Sequence, residues 1–227
     1  MEGEEINRQL EWYKYLVYNK STVGSLFTLI HLPFMLAFLS LVIIGTSAFR
    51  AVDNAVLGLS LAVVSLLLYG EHMFDDTTRA GKPWKTVFGD AALISAGCFA
   101  FILALLTGIY ANRMLGSLFP GMAVGIGILF CTLYGLEFRR FHTIGFGALG
   151  MATIPVSSYL AQALALGLEA NLIVITGLGV FGFGYGYVML ALYEHTKTQE
   201  YKIAWKLLGL QFVLIYALAG TLFLERI

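Results

Sequence analysis

The sequence predicts an all-α membrane protein: a bundle of about seven transmembrane helices, with the N-terminus inside and the C-terminus outside. Three observations predict it. The chain is 59% hydrophobic, only 12% charged, and has a mean hydropathy of +0.80, too few polar groups to cover a soluble globule. Its apolar runs reach the roughly 20 residues that cross a hydrocarbon core of about 30 Å. Its basic residues alternate between the connections as a membrane orientation requires.

The spans fall near residues 22–46, 55–74, 87–109, 115–135, 143–167, 172–193 and 207–224. With the N-terminus inside, the inner segments hold Arg8, Lys14, Lys20, Arg79, Lys82, Lys85, Arg139, Arg140, Lys197, Lys202 and Lys206. The outer segments hold only Arg50, Arg113 and Arg226. Ahead of the first span, Ile6, Leu10, Tyr13 and Val17 recur at helical spacing with charges between them. Residues 1–20 therefore read as an amphipathic segment on the inner surface, and 21–227 as one transmembrane helical domain. The acidic opening, Met1-Glu2-Gly3-Glu4-Glu5, is unlike a cleavable signal peptide. The balanced net charge implies no nucleic-acid partner.

Cys98 and Cys131 lie inside the third and fourth spans without metal-pair spacing and read as small core residues. Gly177-Leu178-Gly179-Val180-Phe181-Gly182 matches the dinucleotide fingerprint by letter. That fingerprint works only where a strand turns into a helix, whereas here it sits inside an apolar span. The series Gly177, Gly179, Gly182, Gly184 and Gly186 instead suits close helix approach, with Gly182/Gly186 as a small-xxx-small pair.

Two polar clusters end hydrophobic runs on the inner side: Glu71-His72-Met73-Phe74-Asp75-Asp76 and Glu194-His195 through Glu200. On a helix, Glu71 and Asp75 share a face, as do His72 and Asp76. Like charges one turn apart repel, so a cation between them is expected, with Glu71, His72, Asp75, Glu194 and His195 as candidate ligands. Oxygen donors with an imidazole suit magnesium, manganese, iron or zinc. The other expectation is an interfacial ion-pair network, Glu71 and Asp75 with Arg79 and Lys82. Basic residues at Arg79, Lys82, Lys85, Arg139, Arg140 and Lys197 could ring a diphosphate head group, a metal bridging its oxygens. His31 in the first span is expected either to face a cavity or to bond a neighbouring helix, and Asp90 to cap the third span.

Four stretches give the chain a resemblance to the UbiA superfamily of intramembrane prenyltransferases. They are His31-Leu32-Pro33-Phe34; Glu71-His72-Met73-Phe74-Asp75 with Gly81-Lys82-Pro83; Tyr134-Gly135-Leu136 through Arg139-Arg140, then Gly147, Gly150, Pro155 and Tyr159; and Tyr193 through Trp205-Lys206-Leu207-Leu208-Gly209. Glu71 and His72 stand where that family has Asn and Asp; Asp75 matches its second Asp. The resemblance implies that Glu71, His72 and Asp75 are catalytic and that magnesium is the cofactor. It further implies that Arg79, Lys82, Arg139, Arg140, Lys197 and Tyr134 bind substrate. The implied activity is prenyl transfer from a polyprenyl diphosphate to a lipophilic acceptor at the cytoplasmic face of the inner membrane. The alternatives are a catalytically silent UbiA-like subunit, which binds an isoprenoid or pigment or packs within a larger membrane complex, and a metal-dependent membrane enzyme of another kind.

Overall fold

A computed structural model describes residues 22–78, 86–136, 138, 140–195 and 201–225. Among them the chain forms eight helices: α1 (Thr22–Ile30), α2 (Leu32–Thr46), α3 (Asn54–Thr78), α4 (Asp90–Leu115), α5 (Phe119–Gly135), α6 (Ile144–Ala165), α7 (Leu172–His195) and α8 (Tyr201–Leu224). Each segment expected from hydropathy contains one helix, except the first, which contains two.

α1 and α2 meet at 40°, and the local sequence explains the break. In a continuous helix the Leu29 carbonyl would accept the amide of residue 33, but Pro33 has none and its ring crowds that carbonyl. The chain turns at His31, which takes φ 47° and ψ 57°, a left-handed conformation that costs a residue with a Cβ about 1–2 kcal/mol. α2 then starts with Pro33 in its first turn, where a missing N–H costs nothing.

Other ends follow sequence rules. Asp53 Oδ1 accepts the amide of Val56 at 3.0 Å and opens α3. Thr143 Oγ1 does the same for Phe146 at 3.2 Å, and Asn171 Oδ1 for Ile173 at 2.9 Å. Gly116 closes α4 in the left-handed region, φ 62°. Gly89, not Asp90, occupies the cap position of α4. Asp90 lies one residue further in, where its carboxylate still complements the helix dipole.

Five helices, α3, α4, α6, α7 and α8, are long and apolar enough to cross a membrane, and the bent pair α1/α2 makes a sixth candidate. α5 has 17 residues, about 25 Å of helix, and is an apolar helix below that length.

α2, α3, α5 and α6 form a ring in which each helix contacts the next. α4 braces α3 and α5 from outside, while α7 packs along α6 and α8 bridges α2 and α7. Close approach is bought with glycine. A Cβ at Gly182 would press on Ala152 and Pro155, and one at Gly186 on Met151 and Ala148, so the small-xxx-small pair seats α7 on α6 as its spacing predicts. Gly177 and Gly184 meet nothing, and Gly179 only touches Val156; these three lie away from the contact, because 3.6-residue periodicity puts only every third or fourth position on one face.

The core differs from the sequence reading at one cysteine. Cys98 is exposed on α4 rather than packed, and Cys131 is half-buried; Cys98 lies on the face of α4 turned away from its neighbours.

At one end of the ring, Gln162 clasps α3 to α6. Its Oε1 accepts the Asp53 amide at 2.9 Å and its Nε2 donates to the Asp53 carbonyl at 3.0 Å. Gln162 is completely buried. Gln162→Leu strands both backbone groups of Asp53 and is expected to cost about 2–4 kcal/mol. Denaturation of the purified protein in mixed micelles, compared with wild type, checks this.

Candidate functional site

The ring lines a cavity of about 230 Å³ that opens to the outside. One stripe of α3 runs its whole length: Val56, Ser60, Val64, Leu67, Glu71 and Asp75 all line it, three or four residues apart. Nineteen residues of helix span about 28 Å, close to the thickness of a bilayer's hydrocarbon core. Polarity is uneven along this length. Glu71, His72 and Asp75 of α3, Glu194 of α7, Tyr134 of α5 and His31 line one end, and the walls beyond are mainly apolar, with hydroxyls at Ser60, Thr107, Thr153, Ser157 and Ser158.

Sequence spacing alone put Glu71 and Asp75 on one face, and both line the cavity. The fold brings Glu194 to the same cavity from the other cluster, 119 residues downstream of Asp75. His195 is exposed, and its Nδ1 donates to the Ala191 carbonyl at 2.8 Å; it does not line the cavity, since it projects from a different side of α7 than Glu194. Arg140 is exposed in the turn between α5 and α6. Arg79, Lys82, Lys85, Arg139 and Lys197, and the amphipathic segment at 1–20, lie outside the described residues.

The break at His31 orients His72. The carbonyl that Pro33 leaves open, Leu29 O, lies 3.0 Å from His72 Nδ1. A carbonyl only accepts, so Nδ1 carries the hydrogen. Nε2 then points to Glu71, whose Oε2 is 3.4 Å away. A ring nitrogen fixed on a backbone carbonyl, with the other directed into a polar site, is how proteins orient catalytic and ligating histidines. The His31 ring packs 4.3 Å from Phe34, 5.2 Å from His72 and 6.2 Å from Tyr193, centroid to centroid, so the helix break walls this end with aromatic rings. Pro33→Ala restores an amide that competes for Leu29 O. Nitrogen NMR of histidine-labelled protein is expected to show one His72 tautomer in wild type and a mixture in the variant.

Asp76 turns away from the cavity and is fully buried. Its Oδ2 accepts the Thr86 hydroxyl at 2.5 Å, while Val87 N donates to Ser25 Oγ at 3.0 Å, tying the approach to α4 across α3 and α1. The sequence placed Asp76 beside His72 by helix spacing; only the fold gives the two carboxylates, Asp75 and Asp76, separate roles.

Met189 carried no signal in the sequence: it looks like a core position until the ring forms around it, whereas Phe34 and Tyr193 lie in stretches that carry the resemblance. His142 fixes the Tyr134 backbone, Nδ1 donating to its carbonyl at 3.0 Å with the rings 4.4 Å apart.

Among the described residues, no three His, Cys, Asp or Glu side chains are grouped as a ready-made metal cage. Magnesium is commonly held by one or two carboxylates together with substrate phosphates, a requirement that Glu71 and Asp75, one turn apart on a cavity wall, can meet. Compared with known proteins, the chain matches no family model, no curated protein and no solved structure.

Proposed function

We propose that this chain is a divergent UbiA-like intramembrane transferase: it seats a polyprenyl diphosphate in the ring cavity and passes the prenyl group to a lipophilic acceptor. The observation that carries the reading is the cavity's shape, acidic and imidazole-bearing at one end and mainly apolar over the roughly 18 Å of α3 from Val56 to Leu68. A single leaflet's hydrocarbon depth is about 15 Å, so the apolar stretch has room for a lipid chain laid along α3. In this reading Glu71 and Asp75 hold a divalent ion, magnesium by preference, that arrives with the diphosphate. The ion would neutralise charge on the leaving group. His72, held on Leu29 O, sits beside them to accept or donate a hydrogen bond. Arg79, Lys82, Arg139, Arg140 and Lys197 would offset the remaining phosphate charge, and Tyr134 would pack on the substrate.

Seven spans with the N-terminus inside follow from the eleven inner basic residues. That orientation puts the acidic end at the cytoplasmic face of the inner membrane. It counts the bent pair α1/α2 as one crossing and the short helix α5 as another.

A second reading is favoured by the degenerate motif and by the lack of a three-residue cage among the described side chains. It is a catalytically silent UbiA-like subunit that holds an isoprenoid or pigment, or packs within a larger membrane complex.

One experiment separates them. Purified protein is titrated with a radiolabelled polyprenyl diphosphate and magnesium, then supplied with a membrane lipid extract. Saturable binding followed by release of inorganic diphosphate supports the transferase. Binding without release supports the silent subunit. No binding, where a known prenyltransferase binds, overturns the diphosphate site.

A further inference from the structure

The apolar length of the cavity is interrupted by hydroxyls, three of them serines at the end opposite Glu71. Ser60 of α3 and Ser157 and Ser158 of α6 all line it. The clasp between Asp53 and Gln162 sets the register of these two antiparallel helices. Ser158 is one turn in from Gln162 on the same stripe of α6. Ser60 is two turns in from Asp53 on the facing stripe of α3. Along the axis the two hydroxyls therefore lie within about 5 Å of one another.

These hydroxyls are not returned to their own helices. Serines and threonines inside apolar helices commonly return their hydroxyl to a carbonyl three or four residues back. Ser40 does so to Leu36, Ser65 to Leu61, Thr107 to Leu103 and Thr153 to Gly150, at 2.6–2.9 Å. Ser60, Ser157 and Ser158 make no such bond, nor any other among the described residues. Ser158 is only 4% exposed, and its hydroxyl sits at the wall of the cavity. The hydroxyl meets the cavity without a protein partner, so a polar group on the cavity's occupant would find a hydrogen-bond partner there.

We infer that this end of the cavity is a second polar subsite, which takes a neutral oxygen function, a hydroxyl or a carbonyl, of a long-chain lipid. No charged side chain is among the residues lining this end, so the subsite suits a neutral group rather than a phosphate or an amine. Eleven residues of α3 separate Ser60 from Glu71, about 16 Å. A lipid that used both subsites would carry two polar groups: one at the acidic end and one about that distance along the chain. The inference is independent of prenyl transfer, requiring only that the cavity holds a long lipid.

The test uses neither diphosphate nor magnesium, so its failure and the failure of the proposed transferase are separate results. The probes are a tritiated straight-chain α,ω-diol whose hydroxyls span about 16 Å and the mono-alcohol of the same chain length. Binding is read by scintillation proximity on the full chain in nanodiscs. Wild type is expected to prefer the diol about fivefold, equivalent to roughly 1 kcal/mol, the net worth of one hydrogen bond. The Ser60→Ala/Ser158→Ala protein is expected to bind both probes as wild type binds the mono-alcohol. Ser40→Ala, which alters a hydroxyl bonded to its own helix, is expected to keep the preference. Equal binding of the two probes by wild type, a preference that survives in the double variant, or no binding of either probe would overturn the subsite.

Discussion

Gly45→Ala is expected to destabilise the protein by about 3 kcal/mol or more, the upper range for forcing a group into a packed interior. The added Cβ would fall on the carbonyl oxygen, Cα and carbonyl carbon of Pro155. These are backbone atoms, so no rotamer change can make room. α2 and α6 would have to part, and both are walls of the cavity, so ligand binding should fall with stability. Gly58→Ala is the matched control: it too replaces a helical glycine, but its Cβ meets nothing within 4 Å. That change should be neutral or stabilise by up to about 1 kcal/mol. Comparing unfolding in mixed micelles for the two variants decides the matter; equal effects would mean that α2 and α6 are not in contact at this point.

Asp75→Asn is expected to weaken binding of a magnesium–polyprenyl diphosphate by at least tenfold, about 1.4 kcal/mol. Asp75 is buried and lines the acidic end with Glu71, so the change removes a charge while keeping the side chain's size. Asp76→Asn supplies the contrast. Asp76 is adjacent in sequence, yet its carboxylate holds Thr86 instead of facing the cavity. Its substitution should lower stability and leave diphosphate affinity within about twofold, a few tenths of a kcal/mol. An ion-pair role for the cluster predicts instead that Asp75→Asn alters no ligand affinity. Titration of wild type and both variants, with and without magnesium, distinguishes these outcomes.

The helical class and the positions of nearly every helix were legible in the chain, because membrane-length apolar runs and their flanking charges are local properties. The shared face of Glu71 and Asp75 was legible for the same reason, as was the close approach at Gly182 and Gly186. Helix periodicity is a one-dimensional fact. The break at His31 was only half visible. Pro33 announces an open carbonyl, but not that His72, 43 residues away, takes it.

What pairs across the ring was decided by tertiary packing. Glu194 faces the cavity while its neighbour His195 does not, since a one-residue step turns a helical side chain by about 100°, and the neighbours of α7 select which side looks inward. The same selection separates Asp75 from Asp76 and leaves Cys98 facing outward. Ser60, Ser157 and Ser158 are unremarkable letters in apolar runs until the clasp of Asp53 with Gln162 sets α3 against α6. The sequence by itself determined a bundle of apolar helices with acidic clusters at helix ends. Only the packing of α2, α3, α5 and α6 into a ring decided that those acids share a cavity about 28 Å long, because an enclosed space is a property of surfaces brought together, not of any one segment.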